Sequence, residues 1–254
     1  MRLDKPVAGG PCWAEVGTPD LEAGRRFYGE LFGWRTETDA QEGMDGYTMA
    51  YVGHLPVAGM VPLGAEGRPC SWFVTFAVTD LDDAVAKIRS AGGTVPAEPA
   101  DVPGMGRFAS ATDTQGAGFQ LWQAQGFEGA GLINAPGSLG WVELLCRAPE
   151  RAVEFYTAVF GWSVNASERY TQWGLDGADF GGMVRMDDKF PPEVPPHWLP
   201  YFAVEDVDAT AAAATEAGGT VLMEPTSVPD GPRIAVLRDS GGAMFGVYPA
   251  GAEG

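Results

Sequence analysis

The chain is short of three things on which common chemistries depend. It has two histidines, His54 and His197, and three cysteines, Cys12, Cys70 and Cys146, in 254 residues. Three cysteines without a C-x-x-C pair give neither a disulfide framework nor a zinc knuckle, so buried, unreactive thiols in a reducing compartment are expected. Basic residues are also scarce: 16 Lys and Arg stand against 34 Asp and Glu, for a net charge of −18. That balance repels phosphate backbones and anionic lipid surfaces, so neither nucleic acid nor membrane is an expected partner. No apolar run approaches the ~18 residues of a membrane span, and the opening Met1 to Val7 lacks the apolar centre of a secretion signal. A cytoplasmic protein is expected. Since 45% of the residues are hydrophobic and 20% charged, the chain should nevertheless fold as a globular protein.

What the chain does have, it has twice. Trp13-Ala14-Glu15-Val16 followed by Phe27-Tyr28-x-x-x-Phe32-Gly33-Trp34 returns as Trp141-Val142-Glu143-Leu144 and Phe155-Tyr156-x-x-x-Phe160-Gly161-Trp162, at a constant shift of 128. A further pair, Ala91-Gly92-Gly93-Thr94-Val95 and Ala217-Gly218-Gly219-Thr220-Val221, recurs at a shift of 126. A constant shift over many positions means duplication, here with a small deletion between the two blocks. The halves read as domains over 1–125 and 139–254, joined by a Gly-, Ala- and Pro-rich linker over 126–138. Each is long enough to bury a core of its own.

Within the first copy, residues 12–17 form a strand. Thr18 and Pro19 are placed to open a helix over 19–32, which Gly33 ends. Strands follow near 34–38, 46–52 and 57–63, with Gly53-His54-Leu55-Pro56 as a hairpin turn. The pattern then restarts with a strand at 72–78, a helix marked by Leu81, Ala84, Val85, Ile88 and Ala91, and strands near 94–97, 107–112 and 118–123. The whole chain is therefore four β-α-β-β-β units, an α+β fold. Asp20, Asp80 and Asp206 suit the positive ends of the helices, and Phe27, Tyr28, Phe32 and Trp34 suit the core. A Pro-rich stretch at 189–196 has no counterpart in the first copy; it either rims a pocket or connects two strands.

These units, with their repeated F-Y-x-x-x-F-G-W and W-x-E strands, resemble the vicinal oxygen chelate superfamily of glyoxalases, extradiol dioxygenases and bleomycin-resistance proteins. The doubled form is similar to a tandem, glyoxalase-like branch that includes anthracycline-biosynthesis helpers and mycobacterial antigens. The resemblance implies two domains with curved mixed sheets around clefts. It also implies metal ligands on the first and last strands of each unit, at positions that fall on Trp13, Phe73, Gln120, Trp141, Leu199 and Gly246. Val57-Ala58-Gly59-Met60 and Phe180-Gly181-Gly182-Met183 supply only apolar residues at the remaining last strands. A divalent ion needs about three N, O or S ligands. Gln120 alone would serve, so no metal or other cofactor is expected.

Side chains alternate along strands. If the implied cleft forms, it receives Trp13, Glu15, Phe73, Thr75, Gln120 and Trp122 in the first half, and Trp141, Glu143, Leu199, Tyr201, Gly246 and Tyr248 in the second. The opposite parity, Ala14, Val16, Val74, Phe76, Phe119, Leu121 and their repeats, is apolar and belongs under the helices. Aromatic rings beside one carboxylate suit a flat hydrophobic or cationic small molecule, held for sequestration or for presentation to a tailoring enzyme. Other readings stay open, among them a metal-dependent glyoxalase or dioxygenase and a protein-interaction role of the outer faces. In another, the tryptophans plug an unused cleft, with Glu15 and Glu143 paired to Arg107 and Arg233. Or each glutamate is the general acid or base of a metal-free cyclase, isomerase or hydroxylase helper.

Overall fold

The computed structural model describes residues 1–3, 5–38, 46–63, 69–167, 170–188, 190–229 and 231–251. The first half contains β1 (Pro11–Thr18), α1 (Leu21–Phe32), β2 (Arg35–Thr38), β3 (Thr48–Val52), β4 (Leu55–Pro62), β5 (Ser71–Ala77), α2 (Leu81–Ser90), β6 (Ala100–Val102), β7 (Gly106–Thr112) and β8 (Gly118–Ala124). The second repeats it as β9 (Leu139–Cys146), α3 (Pro149–Phe160), β10 (Ser163–Ala166), β11 (Thr171–Leu175), β12 (Ala178–Arg185), β13 (His197–Val204), α4 (Val207–Glu216), β14 (Thr220–Ser227), β15 (Arg233–Arg238) and β16 (Met244–Pro249). Each half folds its two units into one eight-stranded mixed sheet, in the orders β2-β3-β4-β1-β5-β8-β7-β6 and β10-β11-β12-β9-β13-β16-β15-β14. Each sheet is thus made by the two units of its own half. The α+β architecture expected from the repeat is the observed one.

Local chemistry sets the boundaries. The cap of α1 is Asp20 rather than Thr18, and the helix starts at Leu21: the carboxylate reaches the Ala23 amide at 2.9 Å, while Thr18 stays in β1. Asp80 and Asp206 cap α2 and α4 in the same way, through the amides of Asp83 and Ala209. The strand expected at 94–97 is replaced by a single bridge, Thr94 to Thr112, and the edge strand forms later as β6. Pro96 and Pro99 remove ladder donors there. In the second copy Leu222 stands where Pro96 does, and β14 runs on from Thr220. The hairpin between β3 and β4 turns on Gly53 and His54 alone, with Val52 already paired to Leu55.

The core is where the structure departs most from two independent domains. The apolar parity, Ala14, Val16, Val74, Phe76, Phe119 and Leu121 with Val142, Leu144, Phe202, Val204, Phe245 and Val247, forms one buried cluster through both halves. The expectation of separate cores gives way because the helices cross over: α1 lies against α4, and α2 against α3. Phe32 meets Phe202 at 5.2 Å between ring centroids, and reciprocally Phe76 meets Phe160 at 5.5 Å. The crossing also carries buried hydrogen bonds. Tyr28 of α1 donates to Asp239 at 2.8 Å and accepts from the Trp72 indole at 2.9 Å, while Tyr156 of α3 donates to Asp113 at 3.2 Å and accepts from Trp198 at 2.9 Å. Burial beside these carboxylates holds both phenols far above their ordinary pKa, so they remain donors. Helix α3 lacks a capping side chain of its own; Gln115 of the first half bonds both the amide and the carbonyl of Ala148, at 2.7 and 3.0 Å. Among the described residues no helix is long and apolar enough to cross a membrane.

Candidate functional site

With one face of each sheet committed to the shared core, the other face carries the residues singled out in the sequence. In the first half β1 pairs antiparallel with β5, placing Trp13 opposite Thr75 and Glu15 opposite Phe73; β5 pairs with β8, placing Thr75 beside Gln120. Four of these side chains join Tyr47 in one hydrogen-bonded chain. Thr75 Oγ1 donates to Gln120 Oε1 at 2.9 Å, and Gln120 Nε2 to Glu15 Oε1 at 2.8 Å. On the other carboxyl oxygen Tyr47 donates at 3.0 Å, and Tyr47 in turn accepts the Trp13 indole N–H at 2.8 Å. Trp122 and Phe73 share this face without joining the chain. Trp122 donates to the Phe127 carbonyl at 2.7 Å, and the Phe127 ring stands edge-on to Trp13 at 5.1 Å. The linker residue Phe127 therefore forms one wall of the site.

The second half repeats the arrangement with one exchange. Trp141 donates to Tyr170 at 3.0 Å, Tyr170 to Glu143 Oε1 at 2.8 Å, and Tyr201 to Glu143 Oε2 at 3.1 Å. Tyr201 occupies the place of Thr75, and its ring lies over Gly246, the counterpart of Gln120; a Cβ there would sit 2.2 Å from the ring. A threonine–glutamine pair and a tyrosine–glycine pair thus each deliver one neutral donor to the glutamate. Leu199 lies opposite Glu143 in the strand register, and Tyr248 bonds the linker residue Asn134.

Tyr47 and Tyr170, central to both networks, are absent from the sequence-based candidates. Their places are made by glycines: a Cβ on Gly59 would meet the Tyr47 hydroxyl at 2.1 Å, and one on Gly182 the Tyr170 hydroxyl at 1.8 Å. The last strands that look merely apolar in the sequence are where the tyrosines lodge. The signal that could have found them is a third repeat, Tyr47-Thr48 to Gly59-Met60 against Tyr170-Thr171 to Gly182-Met183, at a shift of 123.

The alternative in which Glu15 and Glu143 pair with Arg107 and Arg233 is not the arrangement that forms. Arg107 binds Asp82 at 3.0 Å and Asp101 at 3.2 Å, and Arg233 binds Asp208 at 2.6 Å. Asp101 is the cross-strand neighbour of Arg107, and Asp82 and Asp208 lie in the first turns of α2 and α4, so nearer carboxylates on the outer edge capture both arginines. Among the described residues Glu15 and Glu143 keep only neutral hydrogen-bond partners. Desolvation by burial raises the pKa of both above the ordinary glutamate range, against the lowering effect of those donors. The native state therefore holds protons more tightly than the unfolded chain, and this contribution to stability, fullest at low pH, is lost as pH rises through the folded pKa values. Urea titrations should show it: relative to wild type, Glu15→Gln and Glu143→Gln should each make stability fall less steeply with pH above the ordinary glutamate range. Parallel curves would refute the assignment.

This donor set does not match the divalent ion that the resemblance implies. Each face offers one carboxylate with both oxygens already bonded, phenols that burial and the neighbouring glutamate keep protonated, and in the first half one neutral amide. Among the described residues no three His, Cys, Asp or Glu side chains gather as ligands. His54 is exposed in its turn, and His197 sets Nδ1 against the Pro195 carbonyl with its pKa lowered by burial. Burial likewise pushes the thiols up, Cys70 to about 11 and Cys146 to about 12, which leaves them poor nucleophiles.

Comparison with known proteins agrees with this architecture. "Putative glyoxylase CFP32" of Mycobacterium tuberculosis is 40% identical over 248 residues, covering 94% of each chain. "Anthracycline biosynthesis protein DnrV" of Streptomyces peucetius is 36% identical over 270 residues, covering 97% of each. Among solved structures, the Mn(II)-bound glyoxalase from Novosphingobium aromaticivorans superposes with a TM-score of 0.67 at 17% identity, over 96% of this chain and 83% of that one. At such identity the likeness is one of fold. The sequence profile of the Glyoxalase/Bleomycin resistance protein/Dioxygenase superfamily matches residues 12–121 and 138–247, and the chain belongs to that superfamily.

Proposed function

We propose that this protein is a metal-independent binder of a flat, hydrophobic small molecule, one bearing a protonated amine fitting best. The observation that carries the reading is the state of Glu15: a half-buried carboxyl group opposite Phe73 in the strand register and bonded, among the described residues, to the neutral donors Tyr47 and Gln120, with the Trp13 indole bonded to Tyr47. An ammonium group would supply the missing positive charge, and the rings would stack on a planar body and stabilise the cation. The naming of two relatives, DauV and DnrV, as anthracycline biosynthesis proteins favours an aromatic natural product, held for sequestration or presentation to a tailoring enzyme. Quenching of the intrinsic fluorescence of the eight tryptophans by a panel of planar aromatic amines and their neutral analogues tests it. Saturable binding by the amines is expected, tighter than ~100 µM, or about 5.5 kcal/mol. Absence of saturation across the panel would remove the reading.

A second reading has its own observation. Burial raises the pKa of Glu15 and Glu143, the direction that a general acid or base in a metal-free cyclisation, isomerisation or proton abstraction next to a carbonyl requires. Glu15→Gln and Glu143→Gln separate the two. An enzyme loses turnover by a factor of about 10²–10⁴ while still binding, whereas a binder has no turnover to lose.

A further inference from the structure

We infer that the two clefts are not equivalent: the ligand site lies in the first half, and the second half's cleft is filled by the protein's own chain, so that each molecule binds one ligand. This rests on the binding function proposed above and adds its location and stoichiometry.

At three matched positions on β5, β7 and β8 the first face is the more open, whereas on β1 Trp13 is 5% exposed and its counterpart Trp141 is partly accessible. Phe73 and Trp122 are partly accessible and Phe108, the cross-strand neighbour of Trp122, is 37% exposed. Their counterparts Leu199 and Tyr248 are 3% and 6% exposed, and Ile234 is partly covered. Two things cover the second face. The Tyr201 ring spreads over Gly246 where the first half has the narrower Thr75–Gln120 pair. Above it, Phe190 and Val194 of the Pro-rich segment 190–196 pack on the cluster that includes Leu145, Met186, Leu199, Tyr201 and Tyr248. Lys189, the start of that stretch in the sequence, lies outside the described residues.

The segment is fastened as well as seated. Arg147 donates through Nη2 to the carbonyls of Pro191 at 2.9 Å and Val194 at 3.1 Å. The residue at the matching place in the first copy is Pro19, which has no donor to offer. Prolines at 191, 192, 195 and 196 restrict the free segment and lower the entropy lost on holding it in place. On the first face the linker residues Phe127, Ala130 and Ile133 pack with Trp13 instead, and Phe73, Gln120 and Trp122 stay partly accessible.

Hydroxyl-radical footprinting of the full chain, read by peptide mass spectrometry, tests the covering without any ligand. Phe73, Phe108 and Trp122 should be oxidised while Leu199, Tyr201 and Tyr248 are protected; in the Arg147→Ala/Phe190→Ser double variant the protection of the second group should be lost and oxidation of the first unchanged. Calorimetric titration with proflavine, a flat cationic acridine, reads the stoichiometry. One equivalent is expected for wild type, weakened about 30-fold by Trp122→Ala, and a second equivalent should appear in the Arg147→Ala/Phe190→Ser variant. Equal oxidation of the two faces, or two equivalents in wild type, overturns the inference whatever else binds. An asymmetric footprint that opens in the double variant, with no proflavine binding at all, upholds the closed second cleft and removes the ligand site from the first.

Discussion

Asp239→Ala is expected to lower the melting temperature of the whole chain by about 10 °C, in one transition rather than two. The carboxylate is 6% exposed and accepts from five donors: the amides of Gly241, Gly242 and Ala243, at 2.9, 2.7 and 2.8 Å, and, from the opposite half, the Tyr28 hydroxyl and the Cys70 thiol, the last at 4.0 Å. Removing it strands buried donors at about 1–3 kcal/mol each, so a total near 3–5 kcal/mol is reasonable for two that water cannot reach. At ~2–4 °C per kcal/mol for a chain of this length, that corresponds to the stated shift. Asp113→Ala should behave alike, since Asp113 bonds the amides of Gln115 and Ala117 and reaches across to Tyr156. The single transition follows from the shared core: α1 packs on the second half and α3 on the first, so neither half keeps its apolar face covered when the other unfolds. Differential scanning calorimetry checks both points. Two resolved transitions, only one of them moved by Asp239→Ala, would show that the halves fold independently.

That crossing marks the limit of what the sequence reveals about the fold. The shift of 128 identifies the duplicated unit, and strand alternation sorts Ala14, Val74 and Phe119 onto one face and Glu15, Thr75 and Gln120 onto the other, because a period of two is a local property. Which helix covers which sheet is not local. Phe27, Tyr28 and Phe32 are recognisable as core residues, but nothing in their spacing says that they fill the core beside Phe202 and Phe245 of the other copy. The site shows the same division. Glu15 and Gln120 are legible as neighbours once the strands are assigned. Their completion by Tyr47 is hidden, because its signal is an empty position, Gly59, whose value lies in the side chain it admits. The arginines mislead for a related reason: Arg107 and Arg233 sit at matching places in the repeat, but cross-strand register and helix first turns offer each a nearer carboxylate than the glutamate.

Exchanging the one pair by which the two networks differ gives the sharpest test of how they are built. Gly246→Gln alone should destabilise by about 2–3 kcal/mol or more, since even its Cβ would fall 2.2 Å from the Tyr201 ring, and a packed core resists added volume. Tyr201→Thr alone should cost about 3 kcal/mol: it empties the space above Gly246 and leaves Glu143 with Tyr170 as its remaining donor. The double variant rebuilds in the second half what Thr75 and Gln120 do in the first, a hydroxyl bonded to an amide that donates to the carboxylate. Its cost should fall short of the sum of the two single changes by about 2 kcal/mol, within the range measured for residues in contact. Urea unfolding of the four proteins at one pH closes the cycle. Additivity within ~0.5 kcal/mol would mean that tyrosine–glycine and threonine–glutamine are unrelated fillings. A coupling near the expected size would mean that both halves are built to bring one neutral donor to the same carboxylate, and that the duplicated chain kept this requirement while changing the residues that meet it.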